Sequence, residues 1–503
     1  MAVDPTSELE QALERVVGRE PFEIREDGRR VTGLDDAQYE VRPGRKPLLY
    51  LWSGDRTLAR RVTRVVEADG DHIRLEVERF GRTKPGRLEI VRRDRARKPS
   101  RLNRENFANR LEELLARQFP DETLESLSTA PDPEHSLSGN YARGWLRRGK
   151  QGWAILSAAP GETAATMDGS LTYGLLWLDR LRGRNVAPIV AGLRLILPAG
   201  ASRMTAHRLA GIAPDVAVEL YEWQADEPLA RRMDSNAGGN IATWLVARRQ
   251  TEFLLEQVKE IDARIRSLSP DAIDSAVVPG TRQVSWRHHG LEFAQWSRGT
   301  LRVGLGPRRA AVTGDSWSEL ERLVAELSAH RRADGDHRHP LFRASRERWL
   351  ETMVLADPAR IDARLDASFV YSQVPAFSAG DRGVLDLLGV NAEGRLAVIE
   401  LKADEDLQLI FQAVDYWLRV RWHQQQGDFE RYGYFPGRTL HPGAPLLYLV
   451  APGLRFHSAL RTLARYLSPE IPVCRVGLNE DWRSGLRVIE REWRASPAKA
   501  GIG

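Results

Sequence analysis

The chain has 503 residues, 42% of them hydrophobic, and its 74 Lys and Arg outnumber 69 Asp and Glu to give a formal net charge of +5. That length predicts three or four domains with ordinary cores, and the mild basic excess permits nucleic-acid binding without demanding it. One cysteine, Cys474, excludes an internal disulfide and a cysteine-based zinc site, and the lack of any apolar run near ~18 residues or of a leader-like stretch after Met1 predicts a cytoplasmic protein with no membrane partner.

Residues 5–18 read as a short helix, with Pro5 and Thr6 near its start and Gly18 at its end. Residues 20–45 are polar and carry turn signals. Strands are expected at 47–52, 60–68, 72–80 and 86–93, the middle two as a hairpin across Asp69-Gly70. Residues 1–103 therefore predict a β-rich module of small-barrel type. Trp52 and Phe80 read as core residues rather than as platforms for stacked bases. From Arg82 to Arg104 ten Lys or Arg face two acids, the densest basic segment of the chain. Within it Arg92, Arg93, Arg95, Arg97 and Lys98 would grip a phosphate backbone with strong salt dependence. A solvated linker explains the same composition.

Residues 104–119 form an amphipathic helix stopped by Pro120. A strand at 149–158, a helix at 166–183, a strand at 193–200, a helix at 202–211 and a strand at 215–223 follow. The same order returns near the C-terminus, where YLVAPG (448–453) and LSPEIPVCRV (467–476) echo LILPAG (195–200) and IAPDVAVEL (212–220). This predicts two copies of one α/β unit, with an unrelated βαβα layer as the alternative. Residues 104–232 hold the first copy.

Residues 233–339 predict a helix, a β-meander insert and a linker. The Gly/Asn-rich run 233–245 reads as a connection. A helix is expected at 251–269, three short antiparallel strands between 284 and 306, and a helix at 316–332 with a Ser N-cap. His288 and His289 are adjacent, so on a strand they point opposite ways, and they read as surface. Asp334, Asp336, His337 and His339 match no standard metal spacing and read as a solvated linker.

Residues 381–423 carry the chemistry. A strand over 384–390, a turn at Asn391-Ala392-Glu393-Gly394 and a strand over 396–402 are apolar on both faces, as a strand covered on both sides is. Asp386, Glu400 and Lys402 interrupt that pattern. Three ionisable groups where aliphatic ones belong cost several kcal/mol each unless they are paired. Two carboxylates are natural ligands of Mg²⁺ or Mn²⁺, and a neighbouring lysine suits a phosphoryl transition state. A helix over 404–423 follows. Asp404, Glu405 and Asp406 are expected in its first turn, and Gln408, Gln412 and Tyr416 on one polar stripe.

Asp386 followed by Glu400-Leu401-Lys402 resembles the PD-(D/E)XK nuclease signature, in the version of the RecB-like and NucS-type DNA nucleases. Leu385 stands where the family's proline would be. Gln412 and Tyr416 match the family's Gln-x-x-x-Tyr element, and Glu347 in 346–362 matches its upstream helical glutamate, chosen over Glu351. The resemblance implies a restriction-endonuclease-like domain at 340–495. It implies Asp386, Glu400 and Glu347 as ligands of Mg²⁺ or Mn²⁺, Lys402 as catalytic, and Gln412 and Tyr416 as orienting residues. It also implies DNA as partner, a 5′-phosphate product, and a role in repair or defence, with a homodimer as one arrangement. In the first copy the Glu-x-Lys positions fall near Leu156 and Ala158, which predicts a silent copy. The fold class expected is multidomain α+β. A nucleic-acid-binding or scaffolding protein with a vestigial nuclease fold is the alternative.

Overall fold

A computed structural model of the chain describes residues 5–17, 22–26, 29–31, 38–44, 46–53, 56–68, 72–79, 82–92, 101–160, 162–183, 189–224, 227–234, 243, 245, 247–278, 281–305, 309–313, 316–375 and 384–494. Among these residues the chain is mixed α/β, with four sheets and thirteen α-helices. It divides into two compact units, one of residues 1–96, 246–357 and 481–486, the other of residues 97–245, 358–480 and 487–503.

In the first unit, helix Pro5–Val17 accompanies a seven-stranded antiparallel sheet. The expected hairpin is present, as Arg56–Ala68 paired with His72–Arg79. Phe22–Glu26 and Gln38–Arg42 are also strands, although 20–45 reads as polar turn sequence. Phe22 and Ile24 supply the buried face of the first, and buried Glu26 is tied to Arg60 at 2.9 Å. Strand pairing and one ion pair thus overrule composition.

The same unit holds the predicted meander, as Gln283–His288, Leu291–Ser297 and Thr300–Val303. His288 and His289 are not surface residues. His288 is 1% exposed, its Nε2 lies 3.1 Å from Ser328 Oγ, and burial pushes it down to about 3. His289 turns away at positive φ, stacks on Trp349, and is pushed down to about 4 by burial and then by the nearby Arg331 charge. Their backbone carbonyls accept from the fully buried Arg331 guanidinium, which also donates to the carbonyls of Leu341, Ala344 and Ser345. The 333–340 stretch is no solvated linker at its end. His339 is 1% exposed, accepts from the Leu341 N–H as an N-cap, and stacks on His330.

The second unit contains two six-stranded sheets. In the first, β1 (Thr123–Ser128), β2 (Tyr141–Arg148), β3 (Gln151–Ala158), β4 (Ile189–Pro198), β5 (Ala217–Trp223) and β6 (Arg231–Met233) lie side by side in that order. Helix α1 (Ser170–Arg182) follows β3, and α2 (Arg203–Leu209) follows β4. In the second sheet, β7 (Tyr371–Pro375), β8 (Val384–Val390), β9 (Leu396–Leu401), β10 (Leu446–Pro452), β11 (Val473–Leu478) and β12 (Val488–Trp493) repeat the arrangement. Helix α3 (Leu409–Gln425) follows β9 and α4 (Leu460–Arg465) follows β10. In both sheets the third and fourth strands, and the fourth and fifth, pair parallel, and the other neighbours pair antiparallel. Two sheets of one topology stand where the sequence echoes itself.

One core serves both halves. Leu156, Leu175 and Leu195 belong to the same apolar cluster as Val414, Trp417, Leu449 and Leu463. The halves also pair through backbone. Ile212 bridges Leu467 antiparallel, with Ala213 N–H donating to the Tyr466 carbonyl at 2.9 Å and Ser468 N–H to the Gly211 carbonyl at 2.8 Å. The short helix of each half brings a basic group to an acid on the long helix of the other: His207 lies 3.0 Å from Asp415, and Arg465 lies 3.0 Å from Asp179. The outer strand β12 is an edge. Its Glu490 and Glu492 accept from Arg475, and Glu492 also from Arg461, while Ile489 is exposed.

Candidate functional site

The site grows from the β8–β9 ladder. Leu387 pairs with Ile399 and Leu388 with Val398. The paired register ends there, and Asp386 and Glu400 are the next residues along the two strands. There β9 keeps its other neighbour: Glu400 pairs with Leu449 of β10, and Lys402 N–H donates to the Val450 carbonyl at 2.9 Å. The Leu401 N–H is taken by Asp386 Oδ2 at 2.9 Å. A side chain has replaced a strand carbonyl, and the ladder opens into a fork with two carboxylates in it.

Glu400 is 1% exposed and Lys402 8%. Lys402 Nζ lies 3.9 Å from Glu400 Oε1 and 3.7 Å from Asp406 Oδ2. The amine is thus shared between a strand carboxylate and a loop carboxylate. Such a buried set costs several kcal/mol to assemble from water unless its members satisfy one another.

Helix α3 supplies the roof. It begins at Leu409, later than the sequence pattern suggests, so Asp404, Glu405 and Asp406 precede it rather than filling its first turn. The reason is local. Asp406 Oδ1 accepts from the Gln408 N–H at 2.8 Å and Oδ2 faces Lys402, a turn geometry that competes with helix. Tyr416 is buried and shares a hydrogen bond with Gln412. Burial first, and the Glu400 and Asp386 charges next, push its phenol far above the ordinary value. It remains a protonated hydroxyl beside two acids. Of the polar stripe, Gln412 and Tyr416 reach the site region, while Gln408 Oε1 instead accepts from Thr172 Oγ1 of α1 at 2.7 Å.

Asp386, Glu400, Lys402, Gln412 and Tyr416 thus belong to one half of the second unit. Glu347 is carried by the first unit, on helix Arg346–Ala356. On that helix Glu351 is the buried acid. Its carboxylate accepts from Arg348 at 2.6 Å, and burial raises it. Arg92 ends a strand, its side chain outside the described residues, and Arg93, Arg95, Arg97, Lys98 and Phe80 lie outside them altogether, as does the side chain of Trp52. Asp406 is the site residue that sequence reading assigned to another task; a carboxylate four residues after Lys402 was the available signal.

The first half shows what the fork looks like without the acids. Leu156 pairs with Leu195, three residues before Pro198, just as Glu400 pairs with Leu449, three residues before Pro452. Leu156 is therefore the counterpart of Glu400, and Ala158 of Lys402. Arg143, paired with Leu156 on β2, takes the place of Asp386. Its guanidinium donates to the carbonyls of Ser138 and Ala130. No oxygen ligand remains at these three positions.

The donor set of the second half fits a hard dication. Two carboxylates on facing strands supply oxygen ligands, leaving the rest of a Mg²⁺ or Mn²⁺ shell to water and phosphate. Among the described residues, the one group of three or more potential ligands within 4.8 Å is Asp132, Glu134 and His135 in the first half. There His135 Nδ1 already lies 2.9 Å from both Asp132 oxygens. No helix among the described residues is long and apolar enough to cross a membrane. No protein-family model and no curated protein sequence matches the chain.

Proposed function

We propose that the chain hydrolyses phosphodiester bonds in DNA, with Mg²⁺ or Mn²⁺ held by Asp386 and Glu400. The observation that carries this reading is the fork itself: two carboxylates on neighbouring strands, both acting on the buried Tyr416, and a buried lysine 3.9 Å from one of them, set into an otherwise apolar pair of strands. The resemblance of Asp386, Glu400 and Lys402 to the PD-(D/E)XK signature points the same way.

The dication would supply charge to a phosphate oxygen and a lower pKa to a bound water. Asp386 and Glu400 hold it, and the Leu401 N–H fixes the Asp386 carboxylate in position. Lys402, set between Glu400 and Asp406, orients the attacking water or neutralises charge gathering on the phosphate. Tyr416, protonated, donates toward the same region and Gln412 sets its direction.

The test is cleavage of labelled duplex DNA and of supercoiled plasmid by the full chain with Mg²⁺, with Mn²⁺ and with EDTA. Metal-dependent cleavage, lowered about 10²-fold or more in Lys402→Ala, is expected. Equal residual activity in wild type and K402A would remove the reading, and DNA binding retained in EDTA without cleavage would favour the binding protein.

A further inference from the structure

The second unit is a pair built within one chain. Ile212 and Leu467 hold equivalent places, each eleven residues before the residue that pairs with Pro198 or Pro452 respectively, Trp223 and Leu478. They pair with each other. His207 with Asp415 and Arg465 with Asp179 tie the short helix of each half to the long helix of the other, at different positions along them. Contacts in which equivalent elements meet reciprocally are those of a two-fold, isologous interface.

Two-fold pairs of DNA-binding modules match the two-fold symmetry of the duplex. Here the two forks differ in chemistry. One has Asp386, Glu400 and Lys402; the other has Arg143, Leu156 and Ala158. The seam between the halves reaches the loop that carries Asp406. Thr172 Oγ1 donates to Gln408, and Asp406, the neighbour of Lys402, acts on Tyr173 across the seam. Tyr173 in turn packs on Tyr141, which opens β2 and pairs with Ala158.

We infer that one chain spans both strands of a duplex with its two halves and cuts only the strand that reaches Asp386, Glu400 and Lys402, so that its product is a nick. This rests on the nuclease reading above. The half with Arg143 holds and orients; it does not cleave.

The experiment is a time course on supercoiled plasmid with Mn²⁺ or Mg²⁺, over a range of enzyme concentrations, for wild type and K402A. Open circles should accumulate to near completion before linear DNA appears, at a rate first order in enzyme, and K402A should slow nicking by about 10²-fold or more. Linear product formed from the first time points, or a rate rising with the square of enzyme concentration, would overturn the inference while leaving the nuclease reading intact. Nicking by K402A at the wild-type rate would place the cutting centre elsewhere and overturn it as well. Plasmid untouched by wild type in either metal would remove the nuclease reading and this inference with it. A second variant, R143D/L156E/A158K, should gain double-strand cleavage if it folds by circular dichroism; a folded variant that only nicks would place the second fork off the complementary strand and sink the idea, and the plasmid time course decides by itself if the variant does not fold.

Discussion

Ile212 and Leu467 form a two-strand bridge across the seam of the second unit, joining the residues that follow the short helix of each half. Beside them a Cβ on Gly211 would collide with Val414 Cγ1 of α3. Gly211→Val should therefore force the halves apart and lower stability by about 1–3 kcal/mol, the usual cost of overpacking. Urea denaturation with an unchanged m-value checks this; a wild-type midpoint would show that the seam gives way without strain.

Glu400→Gln keeps the shape of a buried side chain and removes its charge. Cleavage should fall by about 10²-fold or more, and added Mn²⁺ should no longer raise the melting temperature as it does for wild type. A variant that melts like wild type with metal present would place the ion elsewhere.

Tyr416→Phe removes one hydroxyl from a residue whose ring is packed in the core. Cleavage should drop by roughly 10-fold, in the range of a lost hydrogen bond to a charged group, with little change in melting temperature. Because burial and then the Glu400 and Asp386 charges hold the phenol protonated, the wild-type rate should show no limb from its ionisation in neutral or mildly alkaline buffer. An ordinary phenol ionisation in the rate profile would contradict the placement.

His288 sets an acid limit on the first unit. Its folded value is pushed down to about 3 by burial, below the ordinary value of about 6.5. The unfolded chain therefore binds the proton first as pH falls. Stability from this group is full above about pH 6.5 and is lost as pH drops toward 3, by up to about 1.4 kcal/mol per pH unit. Thermal unfolding of wild type and His288→Gln between neutral and acid pH tests the sign. The variant should lose less stability on acidification; equal losses would assign the acid sensitivity to other groups.

The site strands were legible in the sequence because Asp386, Glu400 and Lys402 break a pattern that is apolar on both faces. The β8 limits match the expectation, and β9 ends one residue early. The helix start was not legible, since Asp406 serves equally as a first-turn acid or as a turn-forming partner of Lys402, and only the tertiary contact decides. Strand β2 escaped for a related reason: Arg143, Gly144, Arg147 and Arg148 hide a strand that buries Ala142 and Leu146 between its two neighbours. His288 and His339 read as polar surface because their burial depends on Arg331, Ser328 and His330, all distant in sequence from His288 or contributed by another helix. Echoed segments disclosed two copies; that they clasp each other required knowing that Ile212 meets Leu467.

The last strand, β12, has no strand beyond it among the described residues, and Glu490 and Glu492 stand along it with Arg475 and Arg461 beside them. A stranger's strand seeking to extend that sheet would have to strip water from these charges. Ionic shielding thins the barrier, so concentrated stocks of the protein should tolerate dilute buffer better than brine, with Ile489 the first place for molecules to stick.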